Sequence, residues 1–171
     1  MEPGFLGFID LEDTLVGTLL VTNTSFTPID ADALPTFRVY GPNGFVQSGG
    51  GTLKQTAAIT AASNEAPIVV TSLLHGLTVG ANVTISGVVG NTAANSTFTI
   101  SAVTANTFTL SGSSGNGAWT SGGEWHMTGL YNVSIAVLGV SGYEKSEVYQ
   151  IVYAYALSST AQGQIHSFQV S

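Results

Sequence analysis

Apolar residues recur at every second position in several segments of this chain, and no segment sustains the 3.6-residue period of a helix. One face of residues 130–138 carries Tyr131, Val133, Ile135 and Val137. Small or polar residues occupy the positions between them. A period of two residues places alternate side chains on opposite faces of an extended strand. The pattern therefore predicts a protein built from β-strands.

Four further segments have strand character, and they lie at residues 14–23, 36–40, 147–157 and 164–170. The run Gly41-Pro42-Asn43-Gly44 follows one of them and is a strong turn signal. Residues 147–157 carry apolar side chains on both faces, which predicts a strand covered on both sides. Short strands separated by turns favour a β-sandwich, either immunoglobulin-like or jelly-roll-like.

Charged residues are distributed unevenly along the chain. Between Ala57 and Gly123 the only charged residue is Glu65, and this segment also concentrates Gly, Ser, Thr and Asn. Neither flank alone has enough strands for a sandwich. The composition therefore predicts a discontinuous sandwich of residues 1–58 and 124–171, interrupted by an inserted module of residues 59–123.

Composition excludes several classes of function. The chain has three basic residues against ten acidic ones, too few for binding nucleic acid or an anionic membrane. It has no Cys, which excludes a disulfide scaffold, a thiol nucleophile and a thiolate metal site. Charged residues make up 8% of the chain, against about 25% in ordinary globular proteins. Such a neutral surface fits coverage by other subunits, and it also fits an ordinary Thr-rich β surface.

The middle segment resembles a small β-barrel module that recurs in bacteriophage structural proteins. That module is similar to the first catalytic cysteine half-domain of ubiquitin-activating enzymes. The resemblance is carried by Ile68-Val69-Val70-Thr71, His75-Gly76-Leu77, residues 80–87, Gly90-Asn91-Thr92, residues 95–100, residues 105–110 and residues 115–119. It implies a small barrel. Because the chain has no Cys, it implies no ubiquitin chemistry. Apart from this resemblance, residues 96–100 are echoed ten residues later by residues 106–110, with Ala105-Asn106 just before the second strand, and this pattern predicts a hairpin.

The flanks resemble sandwich domains of phage tail, neck and baseplate proteins, including the N-terminal-like domain of baseplate upper proteins. The residues that carry this resemblance are residues 30–40 and residues 128–133, the latter reading Thr-Gly-Leu-Tyr-Asn-Val. Together the two resemblances imply a virion protein. They leave open whether it belongs to the capsid, the neck or the tail.

Two acidic clusters and three histidines are the candidates for binding a metal. The clusters are Asp10, Glu12 and Asp13, and Asp30 with Asp32. Hard cations such as Ca²⁺ take oxygen ligands, but neither cluster has the spacing of a Ca²⁺ loop. Solvated acids, or turn caps at Asp30 and Asp32, are the alternative. The histidines are His75, His126 and His166, which are far apart in sequence, and we expect no shared site.

Catalytic patterns are equally sparse. The chain has no Gly-x-Ser-x-Gly nucleophile elbow. A glycoside hydrolase needs a pair of carboxylates, and the candidates for this pair are Glu124 together with either Glu144 or Glu147. Nothing in the sequence positions them. The Gly-rich runs at residues 49–51 and 112–117 lack the Lys-Ser/Thr of a phosphate loop and are interpreted as flexible loops. We therefore expect no catalytic, cofactor-binding or metal-binding residues.

Aromatic residues admit two interpretations. They could form a sugar-stacking platform, or they could pack in the core, which we favour because aromatic side chains bury large areas in small domains. The residues concerned are Trp119, Trp125, Tyr149, Tyr153 and Tyr155. Exposed aromatics beside acids or amides would favour sugar binding.

These patterns and resemblances lead to one leading hypothesis. We expect a non-enzymatic structural component of a bacteriophage particle, such as a capsid decoration, neck, tail or baseplate protein. It would be made in the cytoplasm of the bacterial host. Its partners would be other virion proteins and further copies of itself in a symmetric assembly, with no nucleic acid and no membrane. The alternative is a carbohydrate-binding module of a host-recognition device.

Overall fold

The computed structural model describes residues 4–171, and these residues form fifteen β-strands and two short 3-10 helices. The strands are β1 Gly4–Ile9, β2 Asp13–Leu20, β3 Thr36–Gly41, β4 Gly44–Gly50, β5 Thr52–Leu53, β6 Thr56–Ala58, β7 Ala61–Ala62, β8 Val69–Thr71, β9 Asn82–Ser86, β10 Thr97–Val103, β11 Thr107–Leu110, β12 Glu124–Met127, β13 Leu130–Val137, β14 Val148–Leu157 and β15 Thr160–Val170. The 3-10 helices are Thr92–Ala94 and Gly139–Ser141. The predicted all-β class is confirmed.

The chain divides into two compact units, one of Met1–Leu53 with Gly129–Ser171 and one of Lys54–Thr128. Within the described part of the chain, no helix is long and apolar enough to cross a membrane.

The first unit is a β-sandwich of two sheets. The larger sheet has the strand order β1-β15-β14-β3-β4, and the smaller has the order β2-β13-β5. All of their pairings are antiparallel except that of β1 with β15, which is parallel. A parallel neighbour at the edge of the sheet requires a long connection, and here that connection is almost the whole chain.

Both sheets of the first unit contribute to one buried cluster, which is the core of the sandwich. The smaller sheet supplies Leu19 from β2 and alternate residues of β13; the larger supplies alternate residues of β3, β14 and β15. The buried residues of β13 are Tyr131, Val133, Ile135 and Val137, as their spacing predicts. The prediction that β14 is covered on both faces is wrong, because Val148 is 50% exposed and Ala154 is also exposed.

A tight turn joins β14 to β15, with Leu157 opposite Thr160. Both central residues, Ser158 and Ser159, have positive φ, which hairpin turns of this length require and which Gly or Asn adopts more readily. The Asp32 carboxylate accepts hydrogen bonds from the Ser158 and Ser159 N–H groups, at 3.0 and 2.7 Å. Asp32 therefore stabilises a turn whose own residues are poorly suited to it.

The second unit is a single seven-stranded sheet with the order β6-β12-β9-β10-β11-β8-β7. Its two edge strands, β6 and β7, are consecutive in the chain and are separated only by Ile59 and Thr60. Since two residues span so short a distance, the sheet must curl until its edges approach each other. The predicted hairpin of residues 96–100 and 106–110 is present as the antiparallel pair β10–β11.

Trp125 is fully buried in the core of this curled sheet. Its indole Nε1 donates a 2.8 Å hydrogen bond to Ser72 Oγ, which in turn donates to the Ala58 carbonyl oxygen at 2.9 Å. The Phe108 ring packs edge-on against the Trp125 ring, with the centroids 5.8 Å apart. A buried indole with its N–H paired combines a large apolar surface with no unsatisfied donor.

The boundaries between the units differ from those drawn from the sequence. The limits 1–58, 59–123 and 124–171 assign β6 and β12 to the sandwich, whereas both strands belong to the seven-stranded sheet. The sequence boundary followed the charge-poor segment, in which Glu65 is the only charged residue. Lys54 and Glu124 lie in the second unit, so that unit extends past this segment at both ends.

Replacing residues 54–128 with a four-residue Gly-Ser linker is predicted to leave the first unit folded. Leu53 lies opposite Tyr131 in the β5–β13 pair, so Leu53 and Gly129 are diagonal neighbours about 7–8 Å apart. A four-residue linker spans up to roughly 13 Å, which is enough to join them. Cooperative urea unfolding and a β-type circular dichroism spectrum should survive in this variant. Loss of both would contradict an independently folding sandwich.

Candidate functional site

The acidic clusters of the sequence are engaged in loop structure. Asp10 accepts from the Ser171 hydroxyl, Glu12 from the Gly139 N–H, and Asp13 from the N–H of its neighbour Thr14. Asp30 accepts a 2.8 Å hydrogen bond from the Gly129 N–H, and Asp32 holds the β14–β15 turn. Among residues 4–171, no group of three or more His, Asp or Glu side chains is arranged to hold a metal ion.

The three histidines lie in separate places. His75 is buried in the second unit, where its Nδ1 accepts from the Leu77 N–H at 3.0 Å and its Nε2 lies 3.1 Å from the Thr107 carbonyl oxygen. Because Nδ1 is an acceptor, the ring proton is on Nε2 and is donated to Thr107. Both ring nitrogens are therefore occupied. His126 lies on β12 of the same unit, whereas His166 lies on β15 of the first unit.

The partly buried His166 ring packs against the buried Tyr153 ring in the first unit, with the centroids 5.1 Å apart and the planes at 73°. Tyr153 Oη and His166 Nδ1 are buried, and neither has a hydrogen-bond partner among the described residues. Burial raises the pKa of Tyr153 to about 12 and lowers the pKa of His166. Both shifts favour the neutral forms, as burial away from charges requires.

Most of the aromatic residues proposed as a sugar platform lie in the cores. Trp125, Tyr149 and Tyr153 are buried, and Tyr155 packs against the core of the first unit. Trp119 packs against the core of the second unit and donates its indole N–H to the Gly122 carbonyl oxygen. Three of the five rings are therefore closed to a sugar, and the other two are partly buried.

The Gly-rich runs are packed into the structure. In β4 the Phe37 ring lies against the Gly49 backbone, so closely that a Cβ there would be 2.7 Å from the ring. In the other run, Gly115 lies against Asn64, and Asn116 bonds to both Asn91 and Thr92. Close backbone approach explains Gly at these positions.

A pocket of about 280 Å³ opens at one end of the sandwich, and we call it the turn pocket. It is formed by the β3–β4 turn and by the segment between the second 3-10 helix and β14. Its lining consists of Gly41, Pro42, Asn43, Gly44, Phe45, Val46, Ser141, Gly142, Glu144, Glu147 and Tyr149. Glu144 and Glu147 thus lie together, whereas Glu124 lies on β12 of the second unit.

Tyr149 fixes both walls of the turn pocket. Its ring lies against the Gly41 backbone, where a Cβ would be 2.5 Å from the ring, so only Gly fits at position 41. Its hydroxyl accepts a 2.7 Å hydrogen bond from the Glu144 N–H and donates to the Gly142 carbonyl oxygen at 3.4 Å. The ring is also stacked on Phe168, 5.6 Å away, and packs against Tyr143.

The turn pocket combines one exposed aromatic ring with several hydrogen-bonding groups. Phe45 is 59% exposed, and its ring packs edge-on against Tyr40 with the centroids 6.0 Å apart. The lining includes two carboxylates and no Lys, Arg or His. The sequence predicted the turn at residues 41–44 but did not indicate that Phe45 lines a pocket. The only signal for this was an aromatic residue directly after a strong turn signal.

Buried polar groups also lie close in sequence to the pocket. Tyr143 Oη and Gln47 Nε2 are both buried. Burial raises the pKa of Tyr143, and the nearby Gln47 amide acts in the opposite direction.

No protein-family model and no curated protein matches this chain. Among solved structures, the chain is similar to the endosialidase of phage phi92, with a TM-score of 0.31 and 14% identity over 91% of this chain and 28% of that chain. It is also similar to ACE19, the collagen-binding subdomain of the Enterococcus faecalis surface protein ACE, with a TM-score of 0.24 and 12% identity over 96% of this chain and 92% of that chain. The chain spans less than a third of the endosialidase. Similarities of this size define neither a family nor a function.

Tyr149→Phe and Tyr153→Phe are predicted to have different effects on stability. The first removes a hydroxyl with two partners and leaves the Glu144 N–H unpaired, so the free energy of unfolding should fall by about 1 kcal/mol. The second removes a buried hydroxyl without a partner among the described residues, so stability should stay the same or rise. Urea denaturation of both variants measures the difference. Equal losses would contradict the assigned role of the Tyr149 hydroxyl.

The stability of the first unit is predicted to depend on the ionisation of His166. Burial lowers its pKa from the usual 6.5, so the unfolded chain binds this proton more readily than the folded chain. The stabilisation is fully present above pH 6.5 and is lost as the pH falls below that value. Urea denaturation between about pH 7 and pH 5, above most of the carboxylate titration, should show this decline in the native protein and a smaller one in His166→Gln. An unchanged decline in the variant would contradict the assignment.

Proposed function

We propose that this protein is a non-catalytic structural subunit of a bacteriophage particle, on the capsid, neck, tail or baseplate. It contacts other virion proteins and copies of itself in a symmetric assembly, and it is made in the host cytoplasm before incorporation. The sequence resemblances of both segments to phage modules support this proposal. So does one structural feature of the sandwich, the strand β4.

Strand β4 is an edge strand that has no charged residue and no Pro against pairing, and its one irregularity is a shift in its register with β3 at Val46. Among the described residues its only strand partner is β3, so one side of its backbone faces no neighbouring strand. Its seven residues, GFVQSGG, include no charged residue and no Pro. Soluble proteins commonly protect such edges with Lys, Pro or a covering segment, because a free edge pairs with other chains. The regular part of β4 beyond Val46, residues 47–50, is suited to pairing with a strand of a neighbouring subunit.

Exposed apolar residues on a charge-poor chain support the same proposal. Val140 is 94% exposed and Leu74 is 84% exposed, next to the exposed Leu73. Leu74 has a positive φ of 50°, and the Asn106 side chain accepts a 3.0 Å hydrogen bond from its N–H. The loop is thus held in a conformation that presents two leucines to solvent. Few charges near such residues lower the desolvation cost of a contact.

The turn pocket favours a second function, carbohydrate binding. It places an exposed aromatic ring, Phe45, beside Asn43, Glu144 and Glu147. An exposed aromatic ring beside acids and amides is the combination expected of a carbohydrate-binding module. The two functions are compatible, because host-recognition devices are themselves parts of particles.

The structural role predicts that the protein is present at a fixed number of copies in purified particles. Quantitative mass spectrometry of particles purified from an infected culture measures its ratio to a major structural protein. The ratio should be constant between preparations. Converted to copies per particle, it should match the number of subunits in a symmetric ring or shell. Detection only in the lysate, and not in particles, would contradict the proposal.

A charged residue introduced on β4 tests, in the same assay, whether this strand pairs with a neighbouring subunit. Ser48→Glu adds a carboxylate to the neutral edge, and the opposing Arg38 keeps this substitution compatible with the folded sandwich. Its incorporation into particles should fall. Ser25→Glu is the matched control, because it adds the same charge at an exposed loop residue. Equal incorporation of both variants would show that β4 is not the contact.

A further inference from the structure

The turn pocket has the size of a site for a small ligand or for one unit of a larger one. Its volume of about 280 Å³ is slightly smaller than the roughly 300–1,000 Å³ typical of small-molecule sites, which suits a single sugar unit. A second, shallower pocket of about 420 Å³ is lined by residues that include Thr22, Asn23, Ile29 and Gln162, with no aromatic ring and no ionisable side chain. The turn pocket is therefore the better candidate for specific binding.

Hydrogen bonds hold the backbone on both sides of the turn pocket. One wall is the two-residue turn closed by the Gly41–Gly44 pair, and the other is the segment bonded to the Tyr149 hydroxyl. Glu147 is fixed from a third side, because its carbonyl oxygen accepts a 3.0 Å hydrogen bond from the Val170 N–H. A preformed site loses little conformational entropy on binding.

The chemistry of the lining selects among ligands by charge. Two carboxylates without a basic residue among the lining repel phosphates, sulfates and acidic sugars. A Ca²⁺ ion requires six to eight oxygen ligands, and no group of three acidic or His side chains suited to a metal is present in residues 4–171. Carboxylates accept hydrogen bonds from neutral hydroxyl groups, and an amide both donates and accepts them.

The exposed Phe45 ring supplies the apolar part of the site. Its edge-on contact with Tyr40 limits its orientation, and more than half of its surface remains open to solvent. Binding sites combine such apolar surfaces with a few polar groups that fix orientation. A pyranose ring matches this arrangement, because it has an apolar C–H face and a rim of hydroxyl donors.

We propose that the turn pocket binds one unit of a neutral saccharide, with Phe45 against the sugar face and Asn43, Glu144 and Glu147 bonded to its hydroxyls. This inference rests on the second proposed function, carbohydrate binding, and deepens it by assigning the site and the charge class of the ligand. The two glutamates of the lining disfavour saccharides that carry carboxylate or sulfate groups at the bound unit, and Lys145, the base between them in sequence, is not among the lining residues.

Two measurements on the full chain test the inference. The first is binding to an array of immobilised neutral and acidic glycans. The second is a ¹H–¹⁵N NMR titration with the methyl glycosides of glucose, galactose, mannose and N-acetylglucosamine, and with methyl glucuronide as the acidic counterpart. We expect binding to neutral glycans only, with amide shifts concentrated in residues 41–46 and 141–149.

Variants separate this site from others on the molecule. Phe45→Ala should weaken binding roughly tenfold, and Glu144→Gln or Glu147→Gln should weaken it several-fold. The matched controls are Phe26→Ala, at an 85% exposed ring outside the pocket, and Glu65→Gln in the second unit. Both controls should bind as the native protein does.

The outcomes distinguish failure of the site from failure of the function. If neutral glycans bind but Phe45→Ala binds equally well, the pocket assignment is wrong and carbohydrate binding stands. If acidic glycans bind better than neutral ones at this pocket, the charge class is wrong. If no glycan on the array binds and no glycoside shifts these amides at millimolar concentration, both the inference and the carbohydrate function fail.

Discussion

The side chain of Tyr149 connects the core of the sandwich to the loops that line the turn pocket. Its ring belongs to the buried aromatic cluster with Tyr143 and Phe168, and it lies on the backbone of Gly41 in the β3–β4 turn. Its hydroxyl holds the segment that carries Glu144. One residue of β14 thus sets the position of two loops that are distant in sequence. The turn pocket exists because both loops are anchored to the same ring.

Neutral polar residues replace charges at many positions, and the structure gives them an internal role. Asn95 bonds to both the N–H and the carbonyl oxygen of Val88, and the Asn91 amide donates to the Ser63 carbonyl oxygen. The Asp32 carboxylate likewise accepts hydrogen bonds from two backbone N–H groups of the β14–β15 turn. Long loops in a small β protein leave many backbone groups to satisfy, and short amide and hydroxyl side chains can reach them. Part of the low charge content therefore reflects loop structure rather than subunit contacts.

Alternation in sequence was sufficient to predict β13 and β14 and the buried faces of both strands, because these features depend on neighbouring residues. It did not predict β1, whose six residues GFLGFI pair with the last strand of the chain. It also misjudged the outer face of β14, since Val148 is apolar but exposed. The fold class follows from local pattern. Parallel pairing, exposure and unit boundaries depend on contacts between distant residues, which one sequence does not display.

The candidate site, too, was only partly predictable, because it combines residues that are distant in sequence. Glu144 and Glu147 could be named from the sequence, but nothing there joined them to Asn43 and Phe45, which lie about one hundred residues earlier. The structure joins them through Tyr149. It also places the pocket and the free edge on one strand, because Phe45 and Ser48 both belong to β4. Three residues of extended chain separate them by about 10 Å. A neighbouring subunit paired along β4 would therefore lie beside the pocket and would either extend the proposed saccharide site or restrict access to it.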